Sequence, residues 1–413
     1  GNPWPRFLSV GAIAAGLAMA ASTPPALPPA GPSTAGVLLV TLDGFGARDG
    51  VGLDLPTLTA LSPHAFHFTT GVAPSSSLVA NAATVTSGVH PLQHHALTDA
   101  HAMRPGIRGL AAPFVGLGLP AVGVMGDARL GHEARLDVGF ARWIDDLKAP
   151  LVGLGRMNLT RRVVEPFAPP PVRAPDEAVV DAALANRASL DAGGLLWVHL
   201  GGAPWSAPER NAAPEAWSEA RTAARQAREA TDAALGRLLT ELGVMDGHRS
   251  ALIVGLRGVS LGQHGLGPSD PSLWDEALVV PIYATGPAFP PTGSSTDQVT
   301  LLDIAPTVYK LIDEVPPHFD GVDLPGQLNP AVERPAWTPL ASQTLDGTPL
   351  VGLRTDDVKA LLDVNSEALS LYDLSLDPAE QHDIFATQPE LARMVAGLLR
   401  DVSKRVEAVA PTR

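Results

Sequence analysis

The chain has 413 residues, 45% of them apolar and none of them cysteine. That suffices for one large domain with an appendage or for two domains, and it excludes disulfides and cysteine-based metal sites. Its formal charge of −14 has no long acidic run and no basic stripe, which argues against nucleic-acid binding, because phosphate neutralisation needs clustered Lys and Arg.

At the amino end, Arg6 precedes an apolar run over residues 7–21, and a Pro/Ala-rich stretch follows to residue 35. Such a run is short for an untilted membrane span and suits the core of a secretory signal or a short anchor. Residues 1–35 are therefore expected to direct export, to the periplasm or to a membrane tether, with residues 7–21 as the part that would associate with the membrane. Residues 36–42 then form an apolar, β-branched run, as in a strand buried on both faces. Similar runs recur at 119–124, 194–200, 250–255 and 278–284, separated by helical patterns around 55–62 and 79–86, at 176–192 and at 213–242. In the last of these, Leu235, Leu238, Leu239 and Leu242 take helical spacing, and Arg221, Arg225, Arg228 and Glu229 read as its solvated side.

Near Pro335 the pattern changes to short antiparallel strands over 340–364 and an amphipathic helix over 389–406. The expected architecture is α/β: over residues 36–335, a large, mostly parallel central sheet covered by helices on both faces. A small α+β subdomain is expected to follow over 336–413.

Several segments carry a resemblance. They are Val40-Thr41-Leu42-Asp43-Gly44; Gly258, Ser260-Leu261-Gly262, His264-Gly265 and Glu276-Ala277-Leu278; Leu302-Asp303-Ile304-Ala305-Pro306-Thr307; and Leu371-Tyr372-Asp373-Leu374 with Asp377-Pro378 and Glu380. In this order the chain resembles the sulfatases of the alkaline-phosphatase superfamily, whose segments read close to T-S-D-H-G-E-S-L-G-E-H-G, L-D-I-A-P-T and L-Y-D-L-x-x-D-P-x-E.

The resemblance implies hydrolysis of a sulfate or phosphate ester by a nucleophile, a divalent cation and a leaving-group acid. It places one metal ligand on Asp43, a second on Gly44, and the two later ones on Leu256 and Arg257. Leucine cannot coordinate, and arginine has no lone pair to give. At ~4 Å and an effective dielectric near ~20, a guanidinium repels a dication by roughly 8 kcal/mol, so Arg257 is expected to replace the cation and pair with Asp43. Asp43 taken alone reads equally as a strand-end turn residue. The nucleophile falls on Leu78, and Ala80, Asn81 and Ala82 occupy the rest of that signature. A one-residue shift would make it Ser77, although Ser75, Ser76 and Ser77 also read as a turn and helix N-cap. The substrate-facing His falls on Pro204, beyond Val198-His199-Leu200-Gly201-Gly202, and the expected Lys is missing near Ser269 and Asp270. His94 and His264 match family histidines, and His90, His94, His95 and His101 read as surface or core residues rather than a metal cluster.

The chain is thus identified as a degenerate member of the family, in which Asp43 is a remnant and Leu256 and Arg257 replace ligands. The implied role is that of an exported or membrane-tethered pseudoenzyme acting as a binding or structural subunit, with a protein complex or an anionic glycan as partner and no cofactor. The alternative is a hydrolase or phospho-group transferase with a rearranged site built on Ser77, His94 and His264 and holding a single Ca or Mg ion.

Overall fold

All seven residues of β1 (Val37–Asp43) are buried, and their side chains sort by parity. Val37 and Leu39 join one apolar core, and Leu38, Val40 and Leu42 join another on the opposite face. That two-residue period is what a central strand needs when both faces of its sheet are covered. The structure, a computed structural model, describes residues 36–147 and 173–409 apart from 203–204, 206, 209–211, 247–248, 316, 330, 333–334, 336 and 345–346. The expected export or anchor segment and Pro204 lie outside the described residues.

The main sheet adds β2 (Phe66–Val72), β3 (Ala121–Met125), β4 (Arg142–Ile144), β5 (Leu195–Leu200), β6 (Ala251–Arg257), β7 (Val279–Thr285), β8 (Gly293–Ser295) and β9 (Val299–Thr300). Its order is β4-β3-β5-β1-β6-β7-β2-β8, with β9 also on β2. Pairing is parallel except at β6–β7 and β7–β2, so the sheet is mixed but mostly parallel, as expected. On the face of Val37 and Leu39 lie α2 (Leu78–Ser87), α3 (Ala111–Gly116) and α6 (Ile304–Leu311). On the other lie α1 (Pro56–Leu61), α4 (Asp176–Ala185) and α5 (Pro214–Glu241).

Two details differ from the sequence reading. The helical pattern at 176–192 is broken after Ala185, and a separate turn runs over Ala188–Asp191. Arg228 is not on a solvated side: it is 3% exposed, and its Nη2 lies 2.6 Å from Asp49 Oδ2. Helical periodicity cannot register this, because the partner comes from the loop after β1.

A second, antiparallel sheet of β10 (Thr338–Gln343), β11 (Pro349–Arg354), β12 (Val358–Asp363) and β13 (Leu369–Asp373) follows. It carries α7 (Pro389–Val409) on one face, where Val351, Leu353, Leu371, Val395, Leu399 and Val402 share a core. A buried charge network joins it to the main sheet. Asp275, just before β7, accepts from Arg354 Nε at 3.0 Å and Nη2 at 2.9 Å, from Lys359 Nζ at 3.0 Å and from Arg48 Nη1 at 2.6 Å. Its backbone N–H donates to Glu380 Oε2 at 2.7 Å. Lys359, fully buried, also sits 2.8 Å from Glu380 Oε1, an ion pair without hydrogen-bond alignment.

Replacing one partner of such a network strands the others without water. Asp275→Ala is expected to destabilise the protein by about 3–5 kcal/mol, read as a fall in the urea midpoint. An unchanged midpoint would show that Lys359 and Arg354 find other compensation.

Candidate functional site at the carboxyl end of the sheet

β1, β3 and β6 run parallel to β5 or to one another, so their carboxyl ends meet at one edge. That edge is where open α/β sheets place their sites. Asp43 ends β1, Asp127 stands two residues past β3, and Arg257 ends β6 opposite Asp43 in register. Gly44 turns the chain away at φ 72°. The loop beyond it is braced by Arg228, which donates to the carbonyls of Gly44 at 2.5 Å and Gly52 at 2.9 Å as well as to Asp49.

Asp43 is 5% exposed, and three guanidinium groups surround it. Arg257 Nε donates to Oδ1 at 2.8 Å, Arg173 Nη2 donates to Oδ2 at 2.5 Å, and Arg129 Nη2 lies 3.6 Å from Oδ2. Two more carboxylates complete the cluster. Asp127 takes Arg129 Nη2 at 2.7 Å and Arg173 Nε at 3.2 Å, and Asp99 takes Arg129 Nη1 at 2.6 Å. Three negative charges thus meet three positive ones. Burial opposes the charge on Asp43, but Arg257 and Arg173 outweigh it and hold the carboxyl well below the usual carboxylate range. Asp127 and Asp99 are lowered in the same way, against burial, chiefly by Arg129 for the first and by Arg257 and Arg129 for the second.

The positions expected to carry polar groups are apolar and filled. Leu78, Ala82 and Leu256 are fully buried in the core under α2. Asn81 fastens that helix to the end of β6, its Nδ2 donating to the carbonyls of Leu256 at 2.8 Å and Ser75 at 2.6 Å.

Ser77, His94 and His264 have separate partners. Ser77 caps α2, its hydroxyl accepting from the Ala80 N–H at 3.2 Å and donating to Asp99 Oδ1 at 2.7 Å. His94 is fully buried under that helix, where Nδ1 accepts from the Ala96 N–H. Its Nε2 must therefore carry the proton toward Thr84 Oγ1, 3.0 Å away. Burial pushes its pKa down to about 3, with His90 and His95 adding to the effect. His264 stacks on Trp274, with ring centroids 3.9 Å apart, and reaches Glu276 Oε1 at 3.0 Å and the Glu380 carbonyl at 3.3 Å. Burial opposes its charge, but Glu276, followed by Glu380, outweighs it and raises the pKa. His264 thereby ties the segment before β7 to the segment after β13.

The superfamily resemblance implies a divalent cation beside Asp43, and the donor set there does not fit one. Both Asp43 oxygens already accept from guanidinium groups. A dication in their place would face three positive charges. Among the described residues no group of three or more His, Cys, Asp or Glu is placed to hold a metal ion.

Arg129, Arg173, Asp99 and Asp127 were not singled out from the sequence. Asp127 had a signal, since it follows a buried parallel run just as Asp43 does, with Arg129 two residues on. Arg173 sits in a Pro-rich stretch with no periodicity to read.

Asp43→Asn leaves the three arginines without their central anion and is expected to lower stability by about 3 kcal/mol, measured by chemical denaturation. Because the folded pKa of Asp43 is depressed, its contribution is present above the unfolded value near ~4 and is lost as pH falls toward the folded one. His264 acts in the opposite sense. Its stabilisation is complete below the unfolded value near ~6.5 and disappears as pH rises through the raised folded value. The stability gap between wild type and His264→Ala is therefore expected to narrow from pH 6 to pH 9, and a constant gap would exclude a charged His264.

No protein-family model and no curated protein matches the chain by sequence. Solved structures do match it in fold. A 2-O GAG sulfatase superposes with a TM-score of 0.72 at 15% identity, over 91% of this chain and 93% of that one. A phosphonate monoester hydrolase from Silicibacter pomeroyi gives 0.69 at 15%, over 90% and 96%. The phosphonate monoester hydrolase of Agrobacterium radiobacter gives 0.67 at 16%, over 90% and 96%. At such identity the likeness is one of fold, and it extends along nearly the whole of both chains: this protein has the fold of these sulfatases and phosphonate monoester hydrolases.

Proposed function

We propose that the protein is a noncatalytic, sulfatase-like binding or structural subunit, exported or tethered to a membrane through residues 7–21. The observation that carries this reading is the pairing of Asp43 with Arg257, Arg173 and Arg129 at the place where the superfamily's chemistry would need a cation. Leu78 and Leu256, buried in the adjoining core, supply neither a nucleophile nor a ligand. Ser77 is engaged as a helix cap, and the buried His94 is held neutral near neutral pH, so neither is set up to activate the other.

A protein is favoured over an anionic glycan as the partner. The side chains of Arg257, Arg129 and Arg173 are 15%, 21% and 23% exposed. Their charges are matched by Asp43, Asp99 and Asp127, and the chain as a whole carries −14, which repels polyanions.

The test is metal content and turnover on the same sample. After exposure to Ca²⁺, Mg²⁺, Mn²⁺ and Zn²⁺ and removal of free ions, mass spectrometry is expected to find no stoichiometric metal. 4-Nitrophenyl sulfate and phenylphosphonate monoesters are expected to remain uncleaved. One ion held per chain, or turnover lost in both Asp43→Ala and Ser77→Ala, would establish the rearranged hydrolase instead.

A further inference from the structure

The main sheet has a second edge, opposite the arginine cluster, where β1, β5 and β3 start side by side with Val37, Leu195 and Ala121 in register. The residues just ahead of these strands pack backbone to backbone. A Cβ on Gly36 would fall 2.5 Å from the Gly194 carbonyl oxygen, and one on Gly194 would clash with that of Pro120. Two strand spacings, about 10 Å, therefore separate Gly36 from Pro120.

An exposed apolar patch stands beside Pro120. From Gly109 to Gly126 no side chain is polar or charged. Much of that run is buried in α3 and β3, but Val115 and Leu117 are 57% and 45% exposed, and Val138 joins them at 51%. Gly139 lies against the start of α3, where a Cβ would sit 3.3 Å from Ala111 Cβ. Val115 is four residues on from Ala111, on the same face of the helix. Of the seven large apolar side chains that stand exposed among the described residues, three thus share this patch, whereas exposed apolar residues scattered singly need no explanation.

Two observations indicate what covers it. Residues 1–35 join the described chain at Gly36, on this edge, and the stretch between residues 21 and 36 reaches at most about 50 Å. The other long stretch outside the described residues, 148–172, joins at the opposite edge, where β4 ends and Arg173 meets Asp43. The local charge also opposes that of the chain. Residues 104–142 carry five arginines against Asp127, Glu133 and Asp137, in a protein of net charge −14. Arg108, next to the contact of Gly109 with the Val138 carbonyl, and Arg142, at the start of β4, are both exposed.

We propose that this patch rests on an anionic lipid bilayer, with Val115, Leu117 and Val138 entering the headgroup boundary and Arg108 and Arg142 meeting lipid phosphates. Among the described residues no helix is long and apolar enough to cross a membrane, so the contact is peripheral. It presupposes the tether at residues 7–21, which keeps this weak surface at high effective concentration near the bilayer. The contact adds an orientation: the arginine cluster, about 20 Å away at the other end of β1, faces away from the membrane.

The chain has no cysteine, so Leu117→Cys and Val138→Cys each give one attachment point for a nitrobenzoxadiazole fluorophore. Leu376→Cys, exposed beyond β13 on the second sheet, is the control. Each labelled full chain is mixed with vesicles of equimolar phosphatidylcholine and phosphatidylglycerol, with and without bromine on the acyl chains. Brominated lipid is expected to quench the probes at positions 117 and 138 roughly twofold and to leave the control unchanged. Val115→Asp is expected to remove most of that quenching, because a carboxylate resists entry into the bilayer. Flotation with the vesicles but no quenching at either position would overturn the inference alone and leave the tether standing. Failure of the full chain to float would remove both. Blue-shifted emission that lipid leaves unchanged would overturn the inference as well, by showing that residues 7–21 or a second copy of the chain covers the patch.

Discussion

Asp43 ends a strand that is buried along its whole length, and its carboxylate has almost no access to water. An ionised group so placed costs several kcal/mol unless opposite charge and hydrogen bonds replace its hydration. Here the replacement is a set of guanidinium groups. Arginine suits the task because its planar fork donates along several directions, is weakly hydrated and keeps its charge. The three arginines come from separate places in the chain: the turn after β3, the segment before α4, and the end of β6. One carboxylate therefore fixes three segments at the carboxyl edge of the sheet. Because Arg129 and Arg173 also hold Asp127, and Arg129 holds Asp99, the constraint passes on to the cap of α2 through Ser77.

The same device joins the two sheets. Asp275 gathers Arg354, Lys359 and Arg48, and Glu380 closes the set on the side of the second sheet. Apolar contact alone would hold the sheets together but tolerates sliding, whereas hydrogen-bonded charges in low dielectric accept few geometries. His264 adds a further fixed point by stacking on Trp274 and bonding to Glu276 and Glu380. The segments around Glu276 and Glu380, which carry part of the sequence resemblance, thus have architectural work in this chain.

That division accounts for what could be read from the sequence. The strands buried on both faces, β1, β5, β6 and β7, stand out as largely apolar runs, because a polar side chain there needs a buried partner, as Thr41 and His199 have in each other. The edge strands β4 and β8 have three residues each, none of them fully buried, and leave no such trace. At the site, Asp43 and Arg257 were legible because each occupies a motif position with a known neighbour. Arg228 and Arg173 were not, since their roles depend on partners about 180 and 130 residues away, Asp49 and Asp43. A charge on a helix reads as solvated until a loop from elsewhere is seen to cover it.

Much of the fold's stability is stored in its two main cores. The two cores flanking the main sheet are built from side chains that no chemistry requires, and Leu78, Ala82 and Leu256 extend one of them up to the carboxyl edge. Burying a leucine contributes about 1.5–3 kcal/mol, whereas a polar group in that position without its ligand would cost about 1–3 kcal/mol. Each of these leucines is favourable where it stands, and the guanidinium of Arg257 compensates the Asp43 carboxylate beside them. The arrangement is therefore self-consistent as a stabilised core edge: an apolar floor, a neutral lattice of arginine and aspartate above it, and a helix whose cap belongs to that lattice.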